Sequence, residues 1–242
     1  MSCTGSRICY SNMQMKLPVT MTHREKQFGW LYMGIQFFIL PSLLQFINLL
    51  LPISMTAEVL NFWFFTLNFL FTILVFHRFL RKTFYLARRR MGWTLQSAAL
   101  GFFAYSIGTA LISQLCTRIY PDFANINDAS ISALLQRNYS LMAIGTVFFV
   151  PLTEECLFRG LVFGGLHEYS KPAAYLLSAA LFSAIHVAGY IGLYPPLLLV
   201  LCFLQYLPAG LSLAWAYCRS GSLAAPILIH MTINAMGIYT MR

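Results

Sequence analysis

An apolar run in the second half of the chain contains three ionisable residues. In FFVPLTEECLFRGLVFGG, residues 148–165, apolar or small residues surround Glu154, Glu155 and Arg159. An ionisable side chain at the centre of a membrane-spanning helix costs about 2.5–3.5 kcal/mol on insertion scales, so its presence indicates a function. Glu155 and Arg159 share one helix face and can form a structural ion pair. Glu154 points about 100° away and is free to face elsewhere.

Two later apolar segments contain the other candidate groups. AALFSAIHVAGY contains His186, and APILIHMTINAMGIY contains His230 and Asn234 on one helix face. A lone His or Asn on an apolar helix is more often an interhelical hydrogen-bond partner than a catalytic group. However, at the helical rise Glu154, His186 and His230 lie about 17–22 Å from polar residues on one side of the membrane. Matching depths on three helices predict a single shared site.

A buried carboxylate beside imidazoles can take a proton from water, which then attacks a carbonyl carbon. A second His with a nearby Asn can donate hydrogen bonds to the oxyanion that develops in this attack. Together these groups would hydrolyse a peptide bond without a covalent intermediate. The same Glu, His and His could instead bind zinc, because two His and one carboxylate with an open position form a catalytic zinc site. The residue types alone fit both alternatives.

The composition predicts that these groups lie on membrane helices. The chain has 242 residues, of which 59% are hydrophobic and 10% charged, and its mean hydropathy is +0.68. Roughly a quarter of the residues of a soluble domain are charged. We therefore expect an all-α, polytopic integral membrane bundle whose partners include membrane lipids. The basic residues behind the net charge of +9 form short clusters beside apolar runs, so no nucleic-acid partner is expected.

A membrane span needs about 20 mostly apolar residues, and seven segments satisfy this requirement. The segment HRFLRKTFYLARRRMGW, residues 77–93, mixes basic, aromatic and apolar residues and is predicted to be an interfacial amphipathic segment. Residues 1–27 are predicted to be a flexible or interfacial leader, and residues 28–242 a single transmembrane domain with its catalytic motifs in 139–242. The predicted spans are 28–52, 58–77, 93–117, 139–165, 173–190, 195–218 and 222–240.

The distribution of basic residues predicts the orientation. On alternate sides of the seven spans, the second side contains Arg118, Arg137 and Arg242, and the first side contains the other thirteen of the sixteen Lys and Arg residues. The first side should be cytoplasmic, which places the N-terminus in the cytoplasm. The first 20 residues contain no apolar core, so no removable signal peptide is expected. The thirteen are Arg7, Lys16, Arg24, Lys26, Arg78, Arg81, Lys82, Arg88, Arg89, Arg90, Arg159, Lys171 and Arg219.

The remaining carboxylates and the cysteines are expected to have no catalytic role. Glu25, Glu58, Asp122, Asp128 and Glu168 lie at segment ends or in loops, where water can solvate them. The six cysteines show no paired spacing, and we interpret them as small apolar fillers instead of disulfides or metal ligands.

Three short motifs resemble those of a known family. EECLFRG (residues 154–160), FSAIH (182–186) and HMTIN (230–234) match, in order and approximate spacing, EExxxR, FxxxH and HxxxN. This pattern resembles the CPBP intramembrane proteases, also called the Abi family. The family includes type II CAAX prenyl endopeptidases and bacterial proteins linked to bacteriocin maturation and self-immunity. The motifs cover about a third of the chain, and the N-terminal half is similar only in being helical and membrane-embedded.

The resemblance implies a role for each motif residue. Glu154 and His186 would activate the water, and His230 and Asn234 would stabilise the oxyanion. Glu155 and Arg159 would order the site. Both a metal-dependent and a metal-free, glutamate-dependent mechanism have been advanced for this family. No cofactor is therefore assigned, and zinc at Glu154, His186 and His230 stays an alternative.

The function implied is that of an intramembrane endopeptidase in a bacterial cell membrane. Its cavity is expected to open toward the cytoplasm, with lipid as a second possible direction. Its substrates would be membrane-associated or lipidated proteins or peptides: a prenylated protein, or a bacteriocin or pheromone precursor. One alternative is a non-catalytic immunity or scaffold protein that binds a partner through the same buried polar core. Another is a proton-coupled transporter, since Glu and His also form proton relays. The sequence lacks the duplicated, interrupted helices that such carriers often show.

Overall fold

The computed structural model describes residues 17–241. These residues form eight helices and no strand. Residues 1–16 of the predicted leader lie outside the described residues. The chain is helical from His23. In chain order the helices are α1 (His23–Leu50), α2 (Ala57–Arg89), α3 (Met91–Ile119), α4 (Ile126–Arg137), α5 (Tyr139–His167), α6 (Lys171–Ala188), α7 (Pro196–Ser220) and α8 (Ala224–Thr240).

Six of the described helices, α1, α2, α3, α5, α6 and α7, are long and apolar enough to cross a membrane. They correspond to six of the seven predicted spans, which confirms the all-α, polytopic membrane fold. The seventh predicted span is α8, which has 17 residues and is shorter than the other six. Large apolar side chains such as Phe38 and Leu49 are more than four-fifths exposed on the bundle surface, as expected of side chains that contact lipid tails.

The predicted interfacial segment is the end of α2 and its junction with α3. The 33 residues of α2 would extend about 50 Å as a straight helix, which exceeds the thickness of a bilayer core. The backbone of Phe76 is non-helical (φ −106°, ψ 20°), so the helix kinks there. The amide N–H of Phe79, just after the kink, donates to Glu25 Oε1 at 2.7 Å. Glu25 also forms a capping box with Thr22 at the start of α1, and it is buried, contrary to the expectation that water solvates it.

Two π-helical turns each precede a proline. They span Ile35–Ile39 and Gly145–Phe149, and Pro41 and Pro151 follow two residues later. Proline lacks an N–H and its ring displaces the carbonyl one turn earlier, so the helix widens locally.

A third π-helical stretch, Cys156–Phe163, follows directly after the paired glutamates of α5. All eight of its residues are buried. The hydroxyl of Ser178 in α6 donates a hydrogen bond to the Phe158 carbonyl at 2.9 Å. One backbone carbonyl of this stretch therefore has a partner on the next helix. This stretch places Arg159 in the protein interior.

Helix α7 packs against α3, α6 and α8 in the centre of the bundle. Its contact with α6 is close because Gly210 has no side chain: a Cβ there would lie 2.8 Å from the Cα of Ala179. At the end of the bundle where α1 begins, a cluster that includes Phe79, Leu157 and Tyr217 fills the interior. At the opposite end, α4 packs against α2, α5, α6 and α8.

Candidate active site

A charged network lies on one side of α5. Arg159 Nη1 donates to Glu155 Oε1 at 3.1 Å, and both side chains are fully buried. The same carboxylate oxygen lies 2.9 Å from His230 Nδ1. The ion pair expected from the spacing of Glu155 and Arg159 therefore forms, and it extends to a second helix through His230.

The guanidinium of Arg159 has two further neighbours. Its Nη2 donates to the carbonyl of Gly210 at 3.2 Å, and its Cζ lies 4.5 Å from the centroid of the Phe182 ring. Glu155 Oε2 and Arg159 Nε have no hydrogen-bond partner among the described residues. The network thus depends more on charge pairing than on complete hydrogen bonding, and the loss of either charge would leave the other buried and uncompensated.

Glu154 lies on a different side of α5 and faces a cavity. Its side chain is 12% exposed and its Oε2 has no hydrogen-bond partner among the described residues. The nearest basic atom is Nε2 of His230 at 4.0 Å, which is too long for a hydrogen bond. The Glu154 carboxylate therefore makes no hydrogen bond to a described residue, and its exposed part is available to a water molecule or substrate.

His186, near the end of α6, lines the same cavity. Its Nδ1 lies 2.8 Å from the carbonyl oxygen of Phe182, and a carbonyl oxygen only accepts. Nδ1 therefore has the proton and Nε2 is available as an acceptor. The ring stacks on Tyr206 of α7, with centroids 4.1 Å apart and planes 25° apart. These two contacts fix the orientation of the imidazole.

Asn234 lines the cavity one turn after His230. Its Nδ2 donates to the carbonyl of Thr146 at 2.8 Å, within the π-helical turn that precedes Pro151. An amide nitrogen has two hydrogens, so one remains for another acceptor. Among the predicted site residues, Glu154, His186, His230 and Asn234 thus share one cavity, whereas Glu155 and Arg159 lie behind it.

The cavity has a volume of about 600 Å³. It extends from the level of Glu154 and His230 to α4, and it includes Tyr190 and Met241 at the same end of the bundle as α4. The opposite end, where the described basic clusters lie, is filled by the apolar cluster around Tyr217. The cavity therefore extends away from the end of the bundle that contains the basic clusters. The opening toward the cytoplasm stays a prediction.

The predicted zinc alternative would place Glu154, His186 and His230 around one ion. Within residues 17–241, no group of three or more His, Cys, Asp or Glu side chains could hold a metal ion. In both imidazoles Nδ1 is engaged, in His186 by a backbone carbonyl and in His230 by Glu155. Nε2 of each ring is left available, and histidines that bind a metal usually have their other nitrogen engaged in this way. Zinc at these positions stays a prediction.

Sequence reasoning missed two cavity residues, Tyr206 and Asp128. Asp128 was expected to be solvated, but it lines the cavity and accepts a hydrogen bond from the Tyr206 hydroxyl at 3.1 Å. Its carboxyl lies outside the membrane-spanning helices, and burial raises its pKa above the ordinary value of 3.8, although the Tyr206 hydrogen bond and the charge of His186 oppose this shift. No local pattern could have identified these residues, because α4 and α7 meet only in the folded protein.

Comparisons with known proteins agree with the motifs. Residues 136–236 match the family described as Type II CAAX prenyl endopeptidase Rce1-like, and this confirms the resemblance over less than half of the chain. The UPF0177 protein YxdF of Lactococcus lactis subsp. lactis (strain IL1403) is 31% identical over 88 residues, which are 36% of this chain and 43% of that protein. The match thus spans less than half the length of this relative. No solved structure matches the chain.

Proposed function

We propose that this integral membrane protein is an intramembrane endopeptidase that hydrolyses peptide bonds of membrane-associated or lipidated proteins and peptides. One observation supports this proposal above all: a carboxylate with a free oxygen and two oriented imidazoles line one cavity of about 600 Å³ between apolar helices. The match of residues 136–236 to the Rce1-like endopeptidases includes all these groups.

Water activation is assigned to Glu154 and His186. The carboxylate of Glu154 accepts a hydrogen bond from a water molecule, and the unprotonated Nε2 of His186 accepts a second hydrogen bond from the same water. The oxygen of this water attacks the carbonyl carbon of the peptide as the proton moves to Glu154, and Glu154 then delivers that proton to the leaving amine. The amide is cleaved without a covalent enzyme intermediate.

Oxyanion stabilisation is assigned to His230 and Asn234. Glu155 holds His230 by Nδ1, so Nε2 of the ring is the nitrogen nearer to Glu154. When His230 is protonated, Nε2 has a hydrogen that can be donated to the oxyanion, and the second amide hydrogen of Asn234 can add another bond. Arg159 and Glu155 are positioning residues that hold His230 in place.

The membrane face from which substrate enters follows from the described basic residues. Arg24, Lys171, Arg219 and the basic end of α2 lie at one end of the bundle, which the positive-inside rule assigns to the cytoplasm. The cavity extends to the other end, under α4. We therefore expect substrates whose scissile bond is reached from the outer leaflet, such as a membrane-anchored peptide precursor of the bacteriocin or pheromone type.

The test compares the wild type with Glu154→Gln and His186→Ala in reconstituted liposomes. Each substitution is expected to reduce peptide cleavage by about 10²–10⁴-fold without loss of expression or folding. Glu168→Gln is the matched control, because Glu168 is exposed at the end of α5. If both site variants keep full biological activity, the protein acts as a non-catalytic immunity or scaffold protein instead.

Substrates can be found by comparing the membrane and secreted peptides of cells that express the wild type or Glu154→Gln. Metal dependence is tested by elemental analysis of purified protein together with chelator treatment. Full activity of metal-free protein would exclude zinc chemistry. Activity that is lost with the metal and restored by its return would contradict the water activation assigned above.

A further inference from the structure

A second carboxylate lies in the cavity, apart from Glu154. Asp128 is in the first turn of α4, and its Oδ1 accepts the Tyr206 hydroxyl at 3.1 Å. Its other oxygen, Oδ2, makes no hydrogen bond to a described residue. The other groups near the Tyr206 hydroxyl are neutral amides: Asn127 Nδ2 donates to the hydroxyl at 3.0 Å, and Asn125 Nδ2 donates to Gln205 Oε1 at 2.7 Å.

Asp128 forms no ion pair with a described residue, although the charge of His186 acts on its carboxyl. The ion pairs formed within residues 17–241 do not include it, and none of the described residues that line the cavity is Lys or Arg. Asp128 is partly buried, and the partial removal of a charged group from water without a counter-charge is unfavourable. The position of Asp128 in the N-terminal turn of α4 compensates for part of this cost, because the helix dipole favours a negative charge there. Oδ2 of Asp128 still has no partner among the described residues.

Three other residues that line the cavity each have a polar side-chain atom without a hydrogen-bond partner in the described part of the chain. Oε1 of Gln36, Oγ1 of Thr146 and Oγ1 of Thr153 line it, are at least nine-tenths buried and have no hydrogen-bond partner among the described residues. Unpaired buried polar atoms are rare in folded proteins. Gln36, Thr146 and Thr153 lie in the same cavity as Glu154 and Asp128, so a peptide bound there would pass polar side chains between the two carboxylates.

We propose that Asp128 is a specificity-determining residue that binds a basic side chain, Lys or Arg, of the peptide substrate. This inference rests on the proposed endopeptidase function. The Tyr206 ring stacks on His186 and its hydroxyl holds Asp128, so Asp128 lies one tyrosine side chain from the reaction site. Since an extended chain advances about 3.3 Å per residue, the basic residue lies about two to four residues from the scissile bond.

Binding of peptides to the full-length Glu154→Gln protein in nanodiscs tests the proposal without turnover. The probes are fluorescent, N-acetylated and C-amidated decapeptides of Ala and Leu, with one Lys moved through successive positions. Norleucine and acetyl-lysine peptides of the same length are the uncharged controls. At one or two adjacent positions, Lys is expected to bind about tenfold or more tightly than either control. Equal binding of Lys, norleucine and acetyl-lysine at every position would overturn the proposal.

A variant series then identifies the carboxylate responsible. Asp128→Asn, which keeps an oxygen for the Tyr206 hydroxyl, should abolish the preference for Lys, whereas the exposed Asp122→Asn should retain it. An unchanged Lys preference in Asp128→Asn would show that the carboxylate only stabilises α4. If Asp128→Asn does not fold, the comparison of Lys with acetyl-lysine in the Glu154→Gln protein still decides the question. Peptide cleavage by the protein with Glu154 intact is measured separately, so the absence of cleavage contradicts the endopeptidase function and not the binding site.

Discussion

Glu154 and Glu155 are adjacent in the sequence, yet they lie in opposite environments. Glu155 is fully buried with Arg159 and His230, and we refer to these three residues with Gly210 as the sealed network. Glu154 faces the cavity with an unpartnered oxygen, in the same cavity as His186, Tyr206 and Asp128. The comparison shows how a membrane helix can use one carboxylate for structure and the next for chemistry.

The difference arises from the surroundings of α5. Half of the residues in its apolar span are buried, compared with 17% in the span of α2. A helix that is enclosed by others has several faces that contact protein, and successive residues point about 100° apart. One glutamate therefore contacts the packed core and its neighbour contacts the cavity, whereas on a peripheral helix one of them would face lipid.

The largest effect is expected from removing the cation of the sealed network. Arg159→Leu leaves Glu155 as an unpaired buried charge and should destabilise the protein by about 3–5 kcal/mol. The measurement is an unfolding titration in mixed micelles with SDS. The exposed Arg118→Leu is the control and should have little effect. The double variant Glu155→Leu/Arg159→Leu should be more stable than Arg159→Leu alone, and equal stability would contradict the role assigned to the pair.

A smaller effect is expected from the close approach of α6 and α7. In Gly210→Ala the new Cβ would lie 2.8 Å from Ala179 Cα, so the helices must separate and weaken the bond from Arg159 to the Gly210 carbonyl. A loss of about 1–3 kcal/mol is expected in the same titration. At Gly92, in α3, a Cβ would meet nothing within 4 Å, so Gly92→Ala should stabilise by up to about 1 kcal/mol. Equal effects at both glycines would argue against the close packing.

On the cavity side, the orientation of His186 can be weakened without removing a reacting group. Tyr206→Leu eliminates the ring that stacks on His186, and kcat/KM for peptide cleavage should decrease about threefold to tenfold. Tyr206→Phe retains the ring and should recover most of this loss. Tyr239→Leu, at a position that is 76% exposed, is the control. If kcat/KM is as low in Tyr206→Phe as in Tyr206→Leu, the hydroxyl of Tyr206 is required and the ring stacking is not.

The smallest effect concerns the pH dependence of stability. Because burial raises the pKa of Asp128, the folded protein holds this proton more tightly than the unfolded chain. The protonated carboxyl of Asp128 therefore contributes stability that is complete below its unfolded pKa, near the ordinary value of 3.8. This contribution is lost as the pH rises through the raised folded pKa. Thermal unfolding at several pH values should show that Asp128→Asn loses less stability than the wild type on going from acid to neutral pH. An unchanged profile in Asp128→Asn, with Asp122→Asn as control, would contradict the raised pKa.

Local patterns predicted the helices and one contact of the site. The four-residue spacing of Glu155 and Arg159 predicted their ion pair, and the apolar segments predicted the six helices that are long enough to span a membrane. The link from Glu155 to His230 was not predictable, because it depends on how α8 packs against α5. The bond between Asn234 and the Thr146 carbonyl also required the structure, since the π-helical turn before Pro151 changes the register of that helix.

The sequence by itself determined that this chain is an integral membrane helical bundle with a glutamate, two histidines and an asparagine at interior positions. It could do so because hydropathy and helical spacing are local properties. Only the tertiary structure decided which glutamate is sealed and which faces the cavity, that the cavity extends toward α4, and that Asp128 and Tyr206 belong to it. These features arise from contacts between helices distant in sequence, where packing and not periodicity fixes which side chains share a space.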